Sequence, residues 1–283
     1  MKIAFASFLV LAGTVVLLLT FGRLRWRAYT KAWRTKLDAA RRPVFAAAFA
    51  ARDLDHLPAA VQRYLRAVLT EGQKSVTAVD LDQTGTMNLG ETAEQWKPFT
   101  ARQRVETRGP GFSWQARIAM MPGVPVFVQD AYVGGEGVLR ASVCGLVTKA
   151  DLRERGELAR GELMRFLAEA PWYPTALLPG QGVRWSPVDD HSALATLQDG
   201  DLSVTLLFHF DFEDLIDTVR AEARGRGVGA AAVAMPWQCR LWNYAIREGI
   251  RVPLEGEAAW LTPEGTKTYW RGKITRLHYA FAP

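Results

Sequence analysis

From Ser75 onward, apolar residues recur at every second position, and that period decides the class of fold open to the chain. Phe112, Trp114, Ala116, Ile118 and Met120 alternate with Ser113, Gln115 and Arg117. Leu202, Val204, Leu206, Phe208, Phe210 and Phe212 alternate with mostly polar residues, among them His209, Asp211 and Glu213. Shorter stretches repeat the pattern at Thr77, Val79 and Leu81, and at Phe99, Ala101, Gln103 and Val105. Successive side chains of a strand point to opposite faces, so each segment reads as a half-buried antiparallel strand with one face on a core and one in water. Turn residues punctuate the strands at Gln198-Asp199-Gly200-Asp201, Glu248-Gly249 and Thr262-Pro263-Glu264-Gly265. The end of the chain reads as three consecutive strands over 237–247, 250–261 and 267–281.

Helical spacing is confined to a few places. Pro58 suits a first helical position, with Val61, Tyr64, Leu65 and Val68 forming an apolar stripe. Residues 44–52 read as a short Ala/Phe-rich helix. The stretch GELARGELMRFLAEA at 156–170 places Leu163, Phe166, Leu167 and Ala170 on one stripe and stops at Pro171. About ten strands and two or three helices predict a mainly antiparallel β (α+β) domain over 43–283. Its expected form is a strongly curved sheet or half-barrel whose concave face is covered by helices.

The beginning of the chain obeys a different rule. Residues 3–22 contain no charge, and at roughly 1.5 Å per residue they span about 30 Å, the hydrocarbon thickness of a bilayer. The run passes directly into Phe21-Gly22-Arg23-Leu24-Arg25-Trp26-Arg27 without an A-x-A cleavage pattern, so residues 1–22 are expected to be an uncleaved transmembrane anchor. Residues 23–42 are expected to be a basic juxtamembrane helix. The chain's net charge of +6 comes from this region, because residues 1–42 hold nine Lys and Arg and one acid, leaving 26 basic and 28 acidic residues beyond. A main domain without excess positive charge gives no electrostatic footprint for nucleic acid. The asymmetry of basic residues places the domain on the cytoplasmic side, with a periplasmic location as the alternative. Trp26, Tyr29 and Trp33 share one face of the basic helix. Either that helix lies at the lipid interface, with Arg23, Arg25, Arg27, Lys31 and Arg34 meeting head-group phosphates, or it is a solvated stalk.

Candidate chemistry is sparse. G-x-S-x-G, H-E-x-x-H, a Walker-type lysine loop and C-x-x-C are all missing from the sequence, so no catalytic residue and no cofactor is assigned. His209, Asp211 and Glu213 point the same way along one strand but occupy its polar face, and Asp189, Asp190 and His191 sit in a turn; both sets read as solvated rather than metal-binding. Gly225-Arg226-Gly227-Val228-Gly229 precedes a strand instead of opening a helix, so it reads as a connection rather than a phosphate loop. Cys144 and Cys239 are too few for a disulfide framework or a zinc site. The conspicuous residue is Trp, ten in all. Trp114, Trp172, Tyr173, Trp237, Tyr244 and Trp260 are candidate walls of an apolar ligand cavity, with Arg165 and Glu169, four apart on the helix, as its polar feature. The competing reading is that these rings only fill a thick core.

Six stretches carry a resemblance: LPAAVQRYLR (57–66), QWKPFTARQ (95–103), GFSWQARIAMMPG (111–123), GELMRFLAEAPWYPTALLP (161–179), PWQCRLWNY (236–244) and YWRGKI (269–274). Together they resemble a bacterial family known only as a domain of unknown function, over nearly all of 50–283. The alternating strands and the W-x-P-F-x-A pattern are similar, more loosely, to the LolA/LolB-like lipoprotein carriers. That likeness implies a half-barrel closed by helices around an apolar cavity, and the bacterial family implies an inner-membrane setting. Three functions stay open. One is a non-catalytic, membrane-anchored module that binds a lipid or other apolar ligand beneath a lid formed by 161–179. Another is a hydrolase or transferase using carboxylates near the helix 161–170, with Glu169, Asp211 or His209 as candidates. The third is an interaction module with a solid core that docks a membrane partner.

Overall fold

The alternating segments pair into one antiparallel sheet of thirteen strands among the described residues, which are 2–42, 48–90, 92–227 and 233–283 of a computed structural model. The strands are β1 (Val76–Asn88), β2 (Trp96–Glu106), β3 (Gly111–Met121), β4 (Val124–Val133), β5 (Glu136–Val143), β6 (Val147–Glu154), β7 (Val183–Asp189), β8 (Ser192–Asp199), β9 (Leu202–Phe210), β10 (Ile216–Arg226), β11 (Val233–Arg247), β12 (Ile250–Thr262) and β13 (Gly265–Phe281). Three α-helices accompany them: α1 (Lys2–Ala39), α2 (Ala59–Val68) and α3 (Glu157–Ala168).

Connections are nearly all hairpins, so sequence neighbours are spatial neighbours. The order is β6-β5-β4-β3-β2-β1-β13-β12-β11-β10-β9-β8-β7. The first and last strands meet at the centre, β1 pairing with β13, and the two edges are joined in sequence by α3. That helix touches β3 to β6 on one arm and β9 and β10 on the other. One helix can reach both arms only if the sheet curls around it. The expected half-barrel is therefore the observed architecture. The Glu248-Gly249 turn has φ of 48° and 85°, the left-handed pair that a two-residue hairpin needs.

Alternation sorts the faces as expected. Phe112, Trp114, Ile118, Val204, Leu206, Phe208 and Phe210 are all buried in one continuous core with α2 and α3. Phe212 departs from the pattern: it is 93% exposed. β9 ends at Phe210, because the Asp211 carboxylate accepts the backbone N–H groups of Glu213 and Leu215 and turns the chain. Of the short helix expected over 44–52, residues 44–47 lie outside the described residues, and Ala51–Leu54 forms one 3-10 turn.

The apolar run and the basic segment form a single helix, α1, with two different faces along its length. Its first half, from Phe5 to Phe21, exposes its large apolar side chains and so is not a core helix. This is the one described helix long and apolar enough to cross a membrane. The second half docks on the outer face of the sheet against β2, β3 and β4. Trp26 stacks on Phe127 at 5.6 Å, the Arg140 guanidinium lies 4.2 Å from the Tyr29 ring centre, and Trp33 and Leu37 join Ala131, Val133 and Val138 in a second small core. The aromatic face therefore covers protein rather than lipid or open water. Gly22 is buried against the β5–β6 turn, and only glycine fits there, because a Cβ would lie 2.3 Å from the Cys144 carbonyl. Arg34, Arg41 and Arg42 pair with Asp80, Glu106 and Asp199 of the domain. Arg23, Arg25, Arg27 and Lys31 are exposed.

Candidate ligand-binding site

The interior of the half-barrel is not uniformly apolar, and register explains where its polar groups gather. Gln103 on β2 lies opposite Trp114 on β3, and Trp114 lies opposite Asp130 on β4. Residues directly opposite share a face, so one cross-strand row carries an amide, an indole and a carboxylate toward α3. From α3, Glu162, Arg165 and Glu169 stand at i, i+3 and i+7 on one side of the helix.

These groups form a continuous network. Trp114 Nε1 donates to Gln83 Oε1 at 2.8 Å, Gln83 Nε2 to Gln103 Oε1 at 3.4 Å, and Gln103 Nε2 to Glu169 Oε2 at 2.5 Å. Arg165 completes it, with Nε donating to Glu169 Oε1 at 2.7 Å and a terminal nitrogen to Asp130 Oδ2 at 2.9 Å. The guanidinium also lies 4.9 Å from the ring centres of both Phe112 and Trp114. Burial works against its charge, yet the carboxylates of Glu169, Asp130 and Glu162 outweigh burial and raise its pKa. The carboxyls feel the opposite balance. Burial, reinforced by Asp130, pushes Glu162 up to about 8, and burial also raises Asp130 against the pull of Arg165 and Arg224.

Beside this network is a cavity of about 110 Å³. Its walls are Met87 of β1, Trp114, Trp237, Cys239, Ala258, Tyr269 and Trp270 from the strands, and Ala168 and Trp172 from α3 and the turn after it. Asp130, Glu162, Arg165, Glu169 and Arg224 supply its ionisable groups. Three buried polar atoms around it have no hydrogen-bond partner: Asp130 Oδ1, Glu162 Oε2 and Trp172 Nε1. A larger depression of about 460 Å³ lies outside, beside α1, but its floor is the solvent-facing side of β1, β2 and β3.

Of the eight residues expected at a site, Trp114, Arg165, Glu169, Trp172 and Trp237 meet around the cavity. The other three do not line it. The Tyr173 hydroxyl donates to the Phe166 carbonyl at 2.6 Å and is part of the packed core. Tyr244, at the far end of β11, donates to the Ile216 carbonyl. Trp260 stacks behind Tyr269 at 5.9 Å. The 170–178 segment is also no loose cover. It is a run of buried 3-10 turns, tied down by Tyr279 donating to the Trp172 carbonyl and Thr175 accepting from the Val76 N–H. Asp130, Glu162 and Arg224 escaped the sequence reading, although the i, i+3, i+7 spacing of Glu162 with Arg165 and Glu169 was a visible signal.

Other candidates disperse. His209 pairs with Asp217 at 2.8 Å and Glu213 with Arg251 at 3.2 Å, both on the exposed outer side, while Asp211 is spent on its turn. Glu169 points inward, so His209 and Asp211 do not join it. In the glycine-rich stretch, Gly225 and Arg226 end β10, and Val228 and Gly229 lie outside the described residues.

The sequence matches a family described as a family of unknown function (DUF6920) over residues 55–279, from just before α2 almost to the end of β13. The chain belongs to that family. No curated protein matches it. Among solved structures, it is similar to a LolA superfamily protein from Nitrosomonas europaea, at 10% identity and a TM-score of 0.40, covering 84% of this chain and 96% of that one. It is also similar to a β-barrel-like protein of a domain of unknown function, DUF1849, from Brucella abortus, at 12% identity and a TM-score of 0.26, covering 74% and 100%.

Proposed function

We propose that the protein is a membrane-anchored binding module that holds one amphipathic ligand in the cavity between α3 and the central strands. One observation carries the reading: three buried, partnerless polar atoms belong to residues that line one cavity with aromatic walls. A solid core would leave each of them at a cost of about 1–3 kcal/mol with nothing in return. A ligand or ordered water removes that cost. The size refines the expectation of an apolar ligand. An engineered cavity of about 150 Å³ just admits benzene, so 110 Å³ takes the polar end of a ligand with a short apolar stem, not a whole acyl chain.

Position supports a bilayer source. Met87, Trp237, Ala258, Tyr269 and Trp270 all lie toward one rim of the sheet, where β1 and β12 end and β11 and β13 begin. Through β2 to β5 the same rim continues to the β5–β6 turn, where Gly22 sits and the exposed half of α1 departs. On this reading the anchor is retained, the domain lies on the cytoplasmic side, and exposed Arg23, Arg25, Arg27 and Lys31 meet head-group phosphates.

The test is contact quenching of Trp emission by 6-bromohexanol, titrated into the full chain in non-ionic detergent. Saturable quenching is expected, and Ala258→Trp should remove it while the chain still melts cooperatively. Quenching that rises linearly and is indifferent to Ala258→Trp would overturn the reading.

A second reading has its own observation. Glu162 is protonated at neutral pH beside the Arg165-bound carboxylates, the separation of roles that general acid catalysis uses. Against it, the nearest carboxylate oxygens are already engaged by Arg165. It predicts that a bound ligand is converted on incubation and that Glu162→Gln traps it unchanged.

A further inference from the structure

Resting on the binding-module reading, the geometry points to a zwitterion as the polar end of the ligand: an ammonium group against Glu162 and Asp130, and an anionic group against Arg224 and the Trp172 indole. Arg165 is already paired with two carboxylates, Glu169 and Asp130, so the charge of the most prominent cation of the site is balanced within the protein. What remains open is a carboxyl pair and a guanidinium. Glu162 is 7% exposed and its Oε2 has no partner, and the second oxygen of Asp130 is likewise unmatched. Arg224 is 9% exposed and makes no hydrogen bond or ion pair among the described residues; its contact is the Trp237 ring, 4.7 Å from the guanidinium carbon. Glu162 and Arg224 line the same cavity without pairing with each other, and the Trp172 N–H is an unmatched donor beside them.

A carboxyl pair and a guanidinium that are held apart discriminate among ligands, and an ammonium group placed beside Glu162 favours loss of its proton. A hydrocarbon leaves all of them unmatched. An anion satisfies Arg224 and Trp172 and leaves both carboxyls facing it. A cation does the reverse and adds repulsion from Arg224. A ligand bearing both charges matches the two sides at once, and the aromatic faces of Trp114, Tyr269 and Trp270 suit an ammonium group as well. The same chemistry occurs on an aminophospholipid head group and on a small free zwitterion.

The experiment is a Trp-emission titration of the full chain in non-ionic detergent with lysophosphatidylethanolamine, lysophosphatidylglycerol, O-phosphoethanolamine, ethanolamine and glycerol phosphate. Lysophosphatidylethanolamine should bind saturably and at least about tenfold more tightly than lysophosphatidylglycerol, the scale of one charge-assisted contact. Glu162→Gln and Arg224→Gln should each erase most of that preference. If O-phosphoethanolamine binds as tightly as the lysolipid, the ligand is a free zwitterion; if it binds far more weakly, the source is lipid. Both results sustain the inference. It is overturned if lysophosphatidylglycerol, ethanolamine or glycerol phosphate binds as well as the zwitterion carrying the same tail or none. It is also overturned if no zwitterion binds. Bromohexanol quenching separates the failures: quenching that saturates without zwitterion preference removes this inference alone, and loss of both removes the cavity reading too.

Discussion

Replacing Glu162 by Gln should flatten the pH dependence of stability, by an amount the structure allows to be worked out. Glu162 is buried beside Asp130, and its pKa is pushed from 4.5 to about 8. A carboxyl whose folded value exceeds its unfolded one favours the folded state fully below pH 4.5, and that contribution is lost as pH rises through 8. At 1.36 kcal/mol per tenfold change in proton affinity, the penalty is about 1 kcal/mol at pH 5 and about 3 kcal/mol at pH 7, approaching 5 kcal/mol at pH 9. Gln keeps the shape of the protonated acid and does not titrate. The two proteins should therefore melt together near pH 5 and diverge above it, with the variant more stable. For a domain of this size 1 kcal/mol moves the midpoint by about 2–4 °C, so a gap on the order of 10 °C should open by pH 9. The assay is thermal unfolding of the full chain in detergent at pH 5, 7 and 9, followed by Trp emission. Melting curves that stay parallel across this range would refute the burial of Glu162 in an uncompensated site.

Phe208→Ala should destabilise the domain by roughly 3–5 kcal/mol, because Phe208 is fully buried and meets Trp185 edge-on at 5.2 Å; an unfolding midpoint that barely moves would contradict its place in the core. Trp33→Ala should release the second half of α1 from the sheet, since Trp33 is 4% exposed in the small outer core. Hydrogen exchange over residues 22–40 should then rise while β7 to β10 stay protected, and unchanged exchange would show that this docking contributes little. A reporter fused after Pro283 should be active only on the cytoplasmic side, and activity confined to the periplasm would reverse the proposed orientation.

The sheet was legible because its evidence is local. Alternation such as that of Phe112 to Ile118 places each side chain by counting along one strand, and the turns at Glu248-Gly249 and Thr262 to Gly265 set the ends of β11, β12 and β13. The site was half legible for the opposite reason. Arg165 and Glu169 stood out by helical spacing, but Asp130 and Gln103 become neighbours of Trp114 only through register across three strands. Arg224 arrives from the other arm of the sheet on β10. Polar residues also look solvated in a sequence, and α3 is buried on its charged side as well as its apolar side because the sheet wraps it. The aromatic face of the basic segment misled for a related reason. Trp26, Tyr29 and Trp33 have the spacing of a lipid-interface helix, and the same spacing serves equally well against the outer face of a sheet.

Native mass spectrometry of the full chain, extracted in mild detergent and activated until loosely held lipid is stripped, tests the central claim most directly. A retained adduct of one amphipathic molecule per chain, absent from Ala258→Trp, is the predicted result. A wild-type chain that emerges bare, with a spectrum indistinguishable from that of Ala258→Trp, would contradict a ligand-holding cavity.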